Sequence, residues 1–596
     1  MWLHVCIIVL ISSHCIAYSL KSRIAHDRQF RLSEKENSEE QVRATLRELT
    51  ETPKTSTAES LMEFISVDEE TIKTLKLKRS YVSILLERAF QTIDDFQVTK
   101  KVKNAANIIM DTSCKSSNRE KIVILGSGWG SHAFLKTIDT TIYDVTVVSP
   151  RNHFLFTPML AASAVGTVEL RSIIEPIRNA NPLVNYIEAT CDDIDFKKKI
   201  INCQSIRCEG TACSIAEFEM SYDHLIFAVG ASVNTFGIKG NDPGSTHSSR
   251  LLSDPLSGVR EYCQFLKQIE DASKLRKTIA YCFERANVPN LDEAEIRNTL
   301  SFVIVGAGPT GVEFTSELRD WIELEGKKYY GQLLKYVSIT LVEAGKAILM
   351  VFAKDLQNEG LKQLTARSTS LIEEGYITAE STKVLLNIGV KEIDEKVIHL
   401  SNGDKLPYGF CVWAAGNGPN PLVLSVVDKV PVQKAGQSIA RGRLVIDDWL
   451  RMKGASQVYG IGDCTFIENA ALPATAQVAS QQGSYLGRLF SKGYILTDGA
   501  APIKRRSVED TAGSSVAIDN SSKAPDNGPL WDLARKSLVE EERPQRRRRP
   551  ISPTDNINYI SEKTNIGNIG ISSKGVDYAK PFPFLNLGVL AYIGRL

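Results

Sequence analysis

The sequence predicts an α/β fold containing two Rossmann-like units, and two segments of one design predict it. They are KIVILGSGWGS, Lys121 to Ser131, and SFVIVGAGPTG, Ser301 to Gly311. In each, a β-branched strand runs into closely spaced glycines and then into a helical pattern. That arrangement brings backbone N–H groups and a helix N-terminus up to a pyrophosphate. Gly126 and Gly306 lie 180 residues apart, enough for two separate units. One such turn fits many strand-to-helix junctions that hold no ligand, whereas a repeat suggests electron traffic between two dinucleotides.

The first turn carries Gly126, Gly128 and an additional Gly130, with Ser131 where the pattern asks for a third glycine. Serine is small enough for close helix–strand packing. The following strand, Val145 to Val148, ends at Ser149, Pro150 and Arg151, without the carboxylate that binds the ribose hydroxyls of NAD. The ligand of this unit must therefore be identified from elsewhere in the chain. The second turn is complete, with Gly306, Gly308 and Gly311 in register behind Phe302 to Val305. Its second strand, Val337 to Val342, ends at Glu343, 37 residues after Gly306, because a helical stretch from Trp321 to Leu334 intervenes. A carboxylate there accepts from ribose hydroxyls and repels a 2′-phosphate, which favours NADH over NADPH. The plain alternative is a solvated glutamate at a strand end.

A distant segment bears on the first ligand. VYGIGDC, Val458 to Cys464, reads as a short strand ending at Gly462 and Asp463, ahead of a helix-prone run from Pro473 to Leu489. Two-dinucleotide flavoproteins close their FAD domain with such a strand. The aspartate meets the ribityl chain, and the helix turns its positive N-terminus to the flavin pyrimidine.

Six further strings resemble the type II (alternative, rotenone-insensitive) NADH:quinone oxidoreductases, members of the two-dinucleotide-binding, disulfide-reductase-like flavoproteins. They are VSPRNHFLFTPMLAASAVGTVELRSIIEPIR (Val148 to Arg178), YDHLIFAVGASVNTFG (Tyr222 to Gly237), FLKQIEDA (Phe265 to Ala272), GPTGVEFTSEL (Gly308 to Leu318), VWAAGNGPNP (Val412 to Pro421) and LPATAQVASQQG (Leu472 to Gly483). With gaps, the resemblance runs from about Lys121 to Tyr592. It implies an FAD-binding domain assembled from 118–250 and 408–500, with an NADH-binding domain and its preceding linker helix inserted at 251–407. Gly126, Gly128 and Gly130 would face the FAD pyrophosphate, with Arg151 near the adenine side. Thr157 and Pro158 would approach the isoalloxazine ring and Asp463 the ribityl hydroxyls, with Ala474 also among the cofactor-binding positions. Gly306, Gly308, Gly311 and Glu343 would hold NADH. Glu313, one turn into that helix, resembles the family's glutamate near the nicotinamide–flavin contact. The implied activity is non-proton-pumping electron transfer from NADH through FAD to a ubiquinone-type quinone. The implied setting is peripheral attachment to the mitochondrial inner membrane, with a homodimer as an assembly.

The quinone end would be the run Ala476, Gln477, Val478, Ala479, Ser480, Gln481. Gln477 and Gln481 are four apart and share a helix face, flanked by small Ala476 and Ser480. Amides can donate to a quinone carbonyl without titrating, and the small neighbours leave room for a flat ring. Spacing alone is equally that of a polar stripe on an exposed helix. Since the chemistry belongs to the flavin, the candidates are binding and tuning groups and include no nucleophile.

Cysteine placement argues against rival enzymes. Disulfide reductases of this plan need a redox pair soon after the first turn, and no cysteine lies between Ser131 and Thr190. A sulfide:quinone oxidoreductase would have Cys191, Cys203, Cys208, Cys213 and Cys411 to draw on, but Cys203, Cys208 and Cys213 read as parts of a surface hairpin. A flavoprotein with an interaction or signalling role is the alternative from outside enzymology. No cysteine or histidine spacing fits zinc, and no EF-hand loop is present.

Composition, 43% hydrophobic and 24% charged over 596 residues, fits a globular enzyme of several domains. A formal net charge of +1 gives no sign of a nucleic-acid partner. Eleven unpatterned cysteines suit a reducing compartment. The ends read differently from the middle. Residues 1–117 read as a targeting segment and extension: Trp2 to Tyr18 is nearly all apolar, ahead of Lys21, Arg23, Arg28 and Arg31. That looks like a secretory h-region or signal anchor, so plastid or secretory targeting stands beside the mitochondrial reading. Helical periodicity runs around Leu61 to Phe96. Residues 501–557, with Lys504 to Arg506 and Arg546 to Arg549, read as a disordered basic insertion, or as a contact with anionic lipid. Residues 558–596 read as a truncated C-terminal segment, since family members continue into amphipathic membrane-binding helices.

Overall fold

The valine- and isoleucine-rich runs ahead of the two glycine turns become middle strands of two parallel sheets. The computed structural model describes residues 81–110, 119–209, 212–239, 258–366, 382–468, 470–496, 501–504, 570–573, 576–582 and 584. The expected leader at Trp2 to Tyr18, both basic runs apart from Lys504, and most of 501–596 lie outside them, as does Leu61 to Ser80 of the expected helical stretch.

Helix α1 (Tyr81–Met110) leads into β1 (Lys121–Leu125), α2 (Trp129–Leu135) and β2 (Asp144–Ser149). After α3 (Leu160–Val165) come β3 (Asn185–Glu188), a meander of β4 (Thr190–Asp195), β5 (Ile200–Glu209) and β6 (Ala212–Ser221), then β7 (His224–Phe227) and β8 (Ser232–Val233). A linker reaches α4 (Ile269–Ala286), followed by β9 (Ser301–Val305), α5 (Pro309–Trp321), β10 (Ser338–Glu343), β11 (Lys383–Leu386) and β12 (Phe410–Trp413). The chain returns through β13 (Asn417–Gly418) to β14 (Val458–Gly460) and α6 (Ala476–Ser491).

The first sheet has the order β14-β7-β1-β2-β3, all parallel. Its edge strand β14 thus comes from more than 200 residues downstream of β7, and the intervening sequence forms the second sheet, β11-β10-β9-β12. Outgoing β8 and incoming β13 pair antiparallel, so the two crossings run side by side. The expected boundary after 407 needs moving: Phe410–Trp413, assigned from sequence to the second part of the FAD-binding domain, pairs with β9 in the second sheet. Its four residues are buried on both faces, as an interior parallel strand requires.

Burial on both faces also explains the character of β1 and β9. Ile122, Ile124, Phe134, Val145, Leu225, Phe227, Leu486 and Leu489 fill one core; Phe302, Ile304, Val312, Phe314, Leu341 and Val412 fill the other. Helix α1 is tied to the first unit by Arg488 of α6. Its Nε and Nη2 donate to the two carboxylate oxygens of Asp95 at 2.8 and 2.6 Å, and its Nη1 donates to Gln91 Oε1 at 2.9 Å. Cys203 departs from its expected place on a surface hairpin, because it is buried opposite Cys191 across β4 and β5.

Candidate functional site

The two turns share one backbone solution. Gly126 and Gly306 have φ of +103° and +102°, and a Cβ on either would press on the facing strand end, 2.5 Å from Ala228 O and 2.7 Å from Ala415 Cα respectively. Only glycine fits both the conformation and the space. Gly128 and Gly308 cap the following helices in extended conformation, with nothing within 4 Å of a Cβ on either. Each turn is therefore closed against its own sheet and open in front, the cradle a pyrophosphate needs. The third position separates them. A Cβ on Gly311 would fall onto Gly306 O, whereas Ser131 fits there, fully buried.

The strand ends differ in charge. Glu343 Oε2 accepts from Ala307 N–H at 2.7 Å and Oε1 from Gly345 N–H at 2.6 Å. The carboxylate is thereby held against the second turn. In the first unit that place is taken by Ser149 Oγ, 3.1 Å from Ser127 Oγ, with Arg151 Nε donating to Ser127 Oγ at 3.4 Å. Burial pushes the Arg151 guanidinium below its ordinary value, against the pull of Glu270.

What completes the first unit comes from α6. A Cβ on Gly483 would fall onto Gly130 O, and one on Gly487 onto Thr137 Oγ1, so α6 lies directly against α2. The N-terminus of α6 is capped by Thr475 Oγ1, which accepts from Val478 N–H at 3.3 Å. Beside it, Gly462 N–H donates at 2.7 Å to Oε1 of Gln482, itself 1% exposed. That bond fixes the turn bearing Asp463. Asp463, Ala474, Arg443, Leu472 and Val478 line one small pocket, in which a carboxylate and a helix N-terminus face the same space. Burial raises the Asp463 carboxyl above its usual value, opposed by Lys267 and Arg443.

The isoalloxazine candidates sit on a short turn, Thr157–Met159, all three residues exposed. Trp129 Nε1 donates to Thr157 Oγ1 at 3.0 Å, and Trp129 meets Phe154 edge-on at 4.9 Å. His132 stacks on the same Phe154 at 4.1 Å. Burial and then Lys136 push its imidazole down to about 3. Glu175 approaches Nε2 to 3.5 Å, but Lys136 shares that carboxylate and the ring stays neutral. Glu313 is half-buried on the face of α5 that also carries Glu317, whose Oε2 accepts from Thr167 Oγ1 at 3.2 Å just beyond α3. Gln477 and Gln481 are both half-buried on the first turns of α6. Gln482, Gly483 and Lys267 were not among the sequence-predicted residues. The first two fall in LPATAQVASQQG and the third in FLKQIEDA, so the strings held the signal and only the geometry gave each letter a task.

Residues 120–483 match the family model described as pyridine nucleotide-disulphide oxidoreductase. A probable NADH dehydrogenase of Dictyostelium discoideum is 38% identical over 410 residues, covering 68% of this chain and 81% of that protein. The internal alternative NAD(P)H-ubiquinone oxidoreductase A1, mitochondrial, of Solanum tuberosum is 37% identical over 406 residues, covering 66% and 74%. The chain belongs to the type II NADH:quinone oxidoreductases. Among solved structures, NDH2 from Plasmodium falciparum in complex with NADH is similar with a TM-score of 0.53 and 28% identity, over 64% of this chain and 85% of that one. As a type II NADH:quinone oxidoreductase the chain takes FAD and NADH, and its two open glycine turns fit two dinucleotides. No helix among the described residues is long and apolar enough to cross a membrane.

Proposed function

We propose that the chain passes two electrons from NADH, through FAD held in the first unit, to a ubiquinone-type quinone, without pumping protons. One observation carries the reading. An acid-bearing turn at Glu343 stands in one unit, while Asp463 and the α6 N-terminus close the other from far along the sequence. FAD bound in the first unit would supply the redox chemistry, as a hydride acceptor and two-electron donor. The side chains bind, orient and exclude. Glu343 selects a ribose bearing free hydroxyls, and the amides behind Gly308 hold the NADH pyrophosphate. Gly126, Gly128 and Gly130 do the same for FAD, with Arg151 at its adenine end, Thr157 and Pro158 beside the ring, and Asp463 and Ala474 at the ribityl side. Glu313 would stand near the contact of nicotinamide and flavin. Gln477 and Gln481 donate to a quinone carbonyl.

Peripheral attachment at the mitochondrial inner membrane and a homodimer belong to the same proposal. Relatives named as mitochondrial support the compartment. The test is full-length purified protein, its flavin spectrum, and NADH oxidation with and without a soluble quinone. The expected result is bound FAD, bleached by NADH and restored by quinone. Protein that retains no FAD, or flavin bleached by sulfide and not by NADH, overturns the reading.

A further inference from the structure

The linker between the units, Phe265 to Ala272, makes more polar contacts than a connection requires. Asp271 Oδ2 accepts from the backbone N–H of Lys267 and of Gln268, each at 2.8 Å, closing a capping box on α4. The segment is extended at Gln268, so the two neighbouring side chains leave in opposite directions. Gln268 Oε1 accepts from Arg151 Nη1, and Arg151 in turn reaches Ser127 in the first glycine turn. Lys267 Nζ donates to Ala231 O and Ser232 O, both at 3.1 Å, and to Asn417 Oδ1 at 2.9 Å. Those oxygens belong to the outgoing and the incoming crossing.

An ammonium has three donors, and among the described contacts all three of Lys267 end on neutral oxygens. Its charge is therefore not cancelled by a hydrogen-bonded carboxylate. Asp463 follows β14 and Ala231 follows β7, neighbouring parallel strands, so the ammonium and that carboxylate stand at the same end of the first sheet. Burial lowers the Lys267 ammonium below its ordinary value, and Asp463 opposes that.

We propose that Lys267 is a positioning residue of the flavin site: its ammonium fastens the two crossing strands together and sets a fixed positive charge beside Asp463, so that both FAD retention and the flavin reduction potential depend on it. The proposal rests on the assignment of FAD to the first unit. A fixed cation near bound flavin would favour the negative charge gained on reduction, so its removal would make reduction harder.

The experiment uses the full chain loaded with FAD and compares Lys267→Met, Lys267→Gln and Lys267→Arg. The readouts are the FAD dissociation constant and the midpoint potential by dye equilibration. Lys267→Met is expected to weaken FAD binding about tenfold, losing charge and tie together. Lys267→Gln keeps a donor for the strand carbonyls, so it holds FAD even where Met does not. Its midpoint potential is expected to fall by about 30 mV, the equivalent of a tenfold change for a two-electron couple. Lys267→Arg is expected to restore the potential. Asn417→Ala, which removes one tie and no charge, should weaken FAD binding and leave the potential in place. Potentials of the Gln and Arg variants both equal to that of the unaltered protein overturn the proposal while leaving the FAD assignment intact. Unaltered protein that binds no FAD overturns the assignment itself.

Discussion

The first glycine turn and the second reach the same backbone shape by different means. The second is self-contained: Gly311 lies against Gly306 O, and Glu343 bonds back to Ala307 within the same unit. The first depends on distant parts. Its close contact is supplied by Gly483 of α6 against Gly130, and its strand end carries Ser149 and Arg151 in place of an acid. A turn that exchanges a substrate can be complete in itself, whereas one that retains a cofactor is locked by a helix arriving from the far end of the domain. On the proposed assignment, the asymmetry separates the ligand that stays from the one that leaves.

Two matched substitutions should separate the turns most widely. Gly483→Ala and Gly311→Ala each drive a methyl onto a backbone oxygen, an overpacking that costs about 3 kcal/mol. Gly483→Ala is expected to yield protein stripped of flavin. Gly311→Ala should keep its flavin and lose bleaching by NADH. Flavin content and absorbance after NADH addition check both, and the reverse pattern would exchange the assignments.

A smaller effect comes from Glu343→Gln, which sets an amide against two backbone N–H donors. It is expected to raise the KM for NADH about thirtyfold, or 2 kcal/mol, and to narrow the preference over NADPH. The flavin spectrum should not change. Steady-state kinetics with both nucleotides measure it.

The smallest effect is a pH dependence confined to the first unit. His132 occupies the place that Val312 holds in the second, and its folded-state value, pushed down to about 3, lies below the ordinary 6.5. A lowered histidine contributes stability that is complete above 6.5 and is lost as pH falls toward 3, because the unfolded chain takes the proton first. Between pH 6.5 and 5.5 the loss is about 1 kcal/mol. His132→Gln should flatten that slope in thermal unfolding, and an unchanged slope would assign the acid sensitivity to other groups.

Most of this was legible in the sequence because glycine geometry is local. Gly126, Gly306 and Gly311 each answer to φ or to a facing backbone atom, Gly128 and Gly308 leave the space before the turn open, and their spacing reports this. Ser131 was readable as a tolerated departure for the same reason. The NADH-unit boundary was not, since Phe410–Trp413 has the same apolar run in either sheet and only pairing with β9 decides. Gln482 escaped because helical spacing drew attention to Gln477 and Gln481, whereas its task is a hydrogen bond to Gly462, 20 residues back. Lys267 escaped because its partners are carbonyls, which have no sequence signature.

The path from Glu343 to Gln481 is tested most directly by stopped-flow measurement of the two half-reactions in Glu343→Gln and in the Gln477→Ala/Gln481→Ala double variant. The first is expected to slow flavin bleaching by NADH and leave reoxidation by quinone at its normal rate; the second should do the opposite. Equal slowing of both half-reactions in either variant would contradict a route that enters by one turn and leaves by the other.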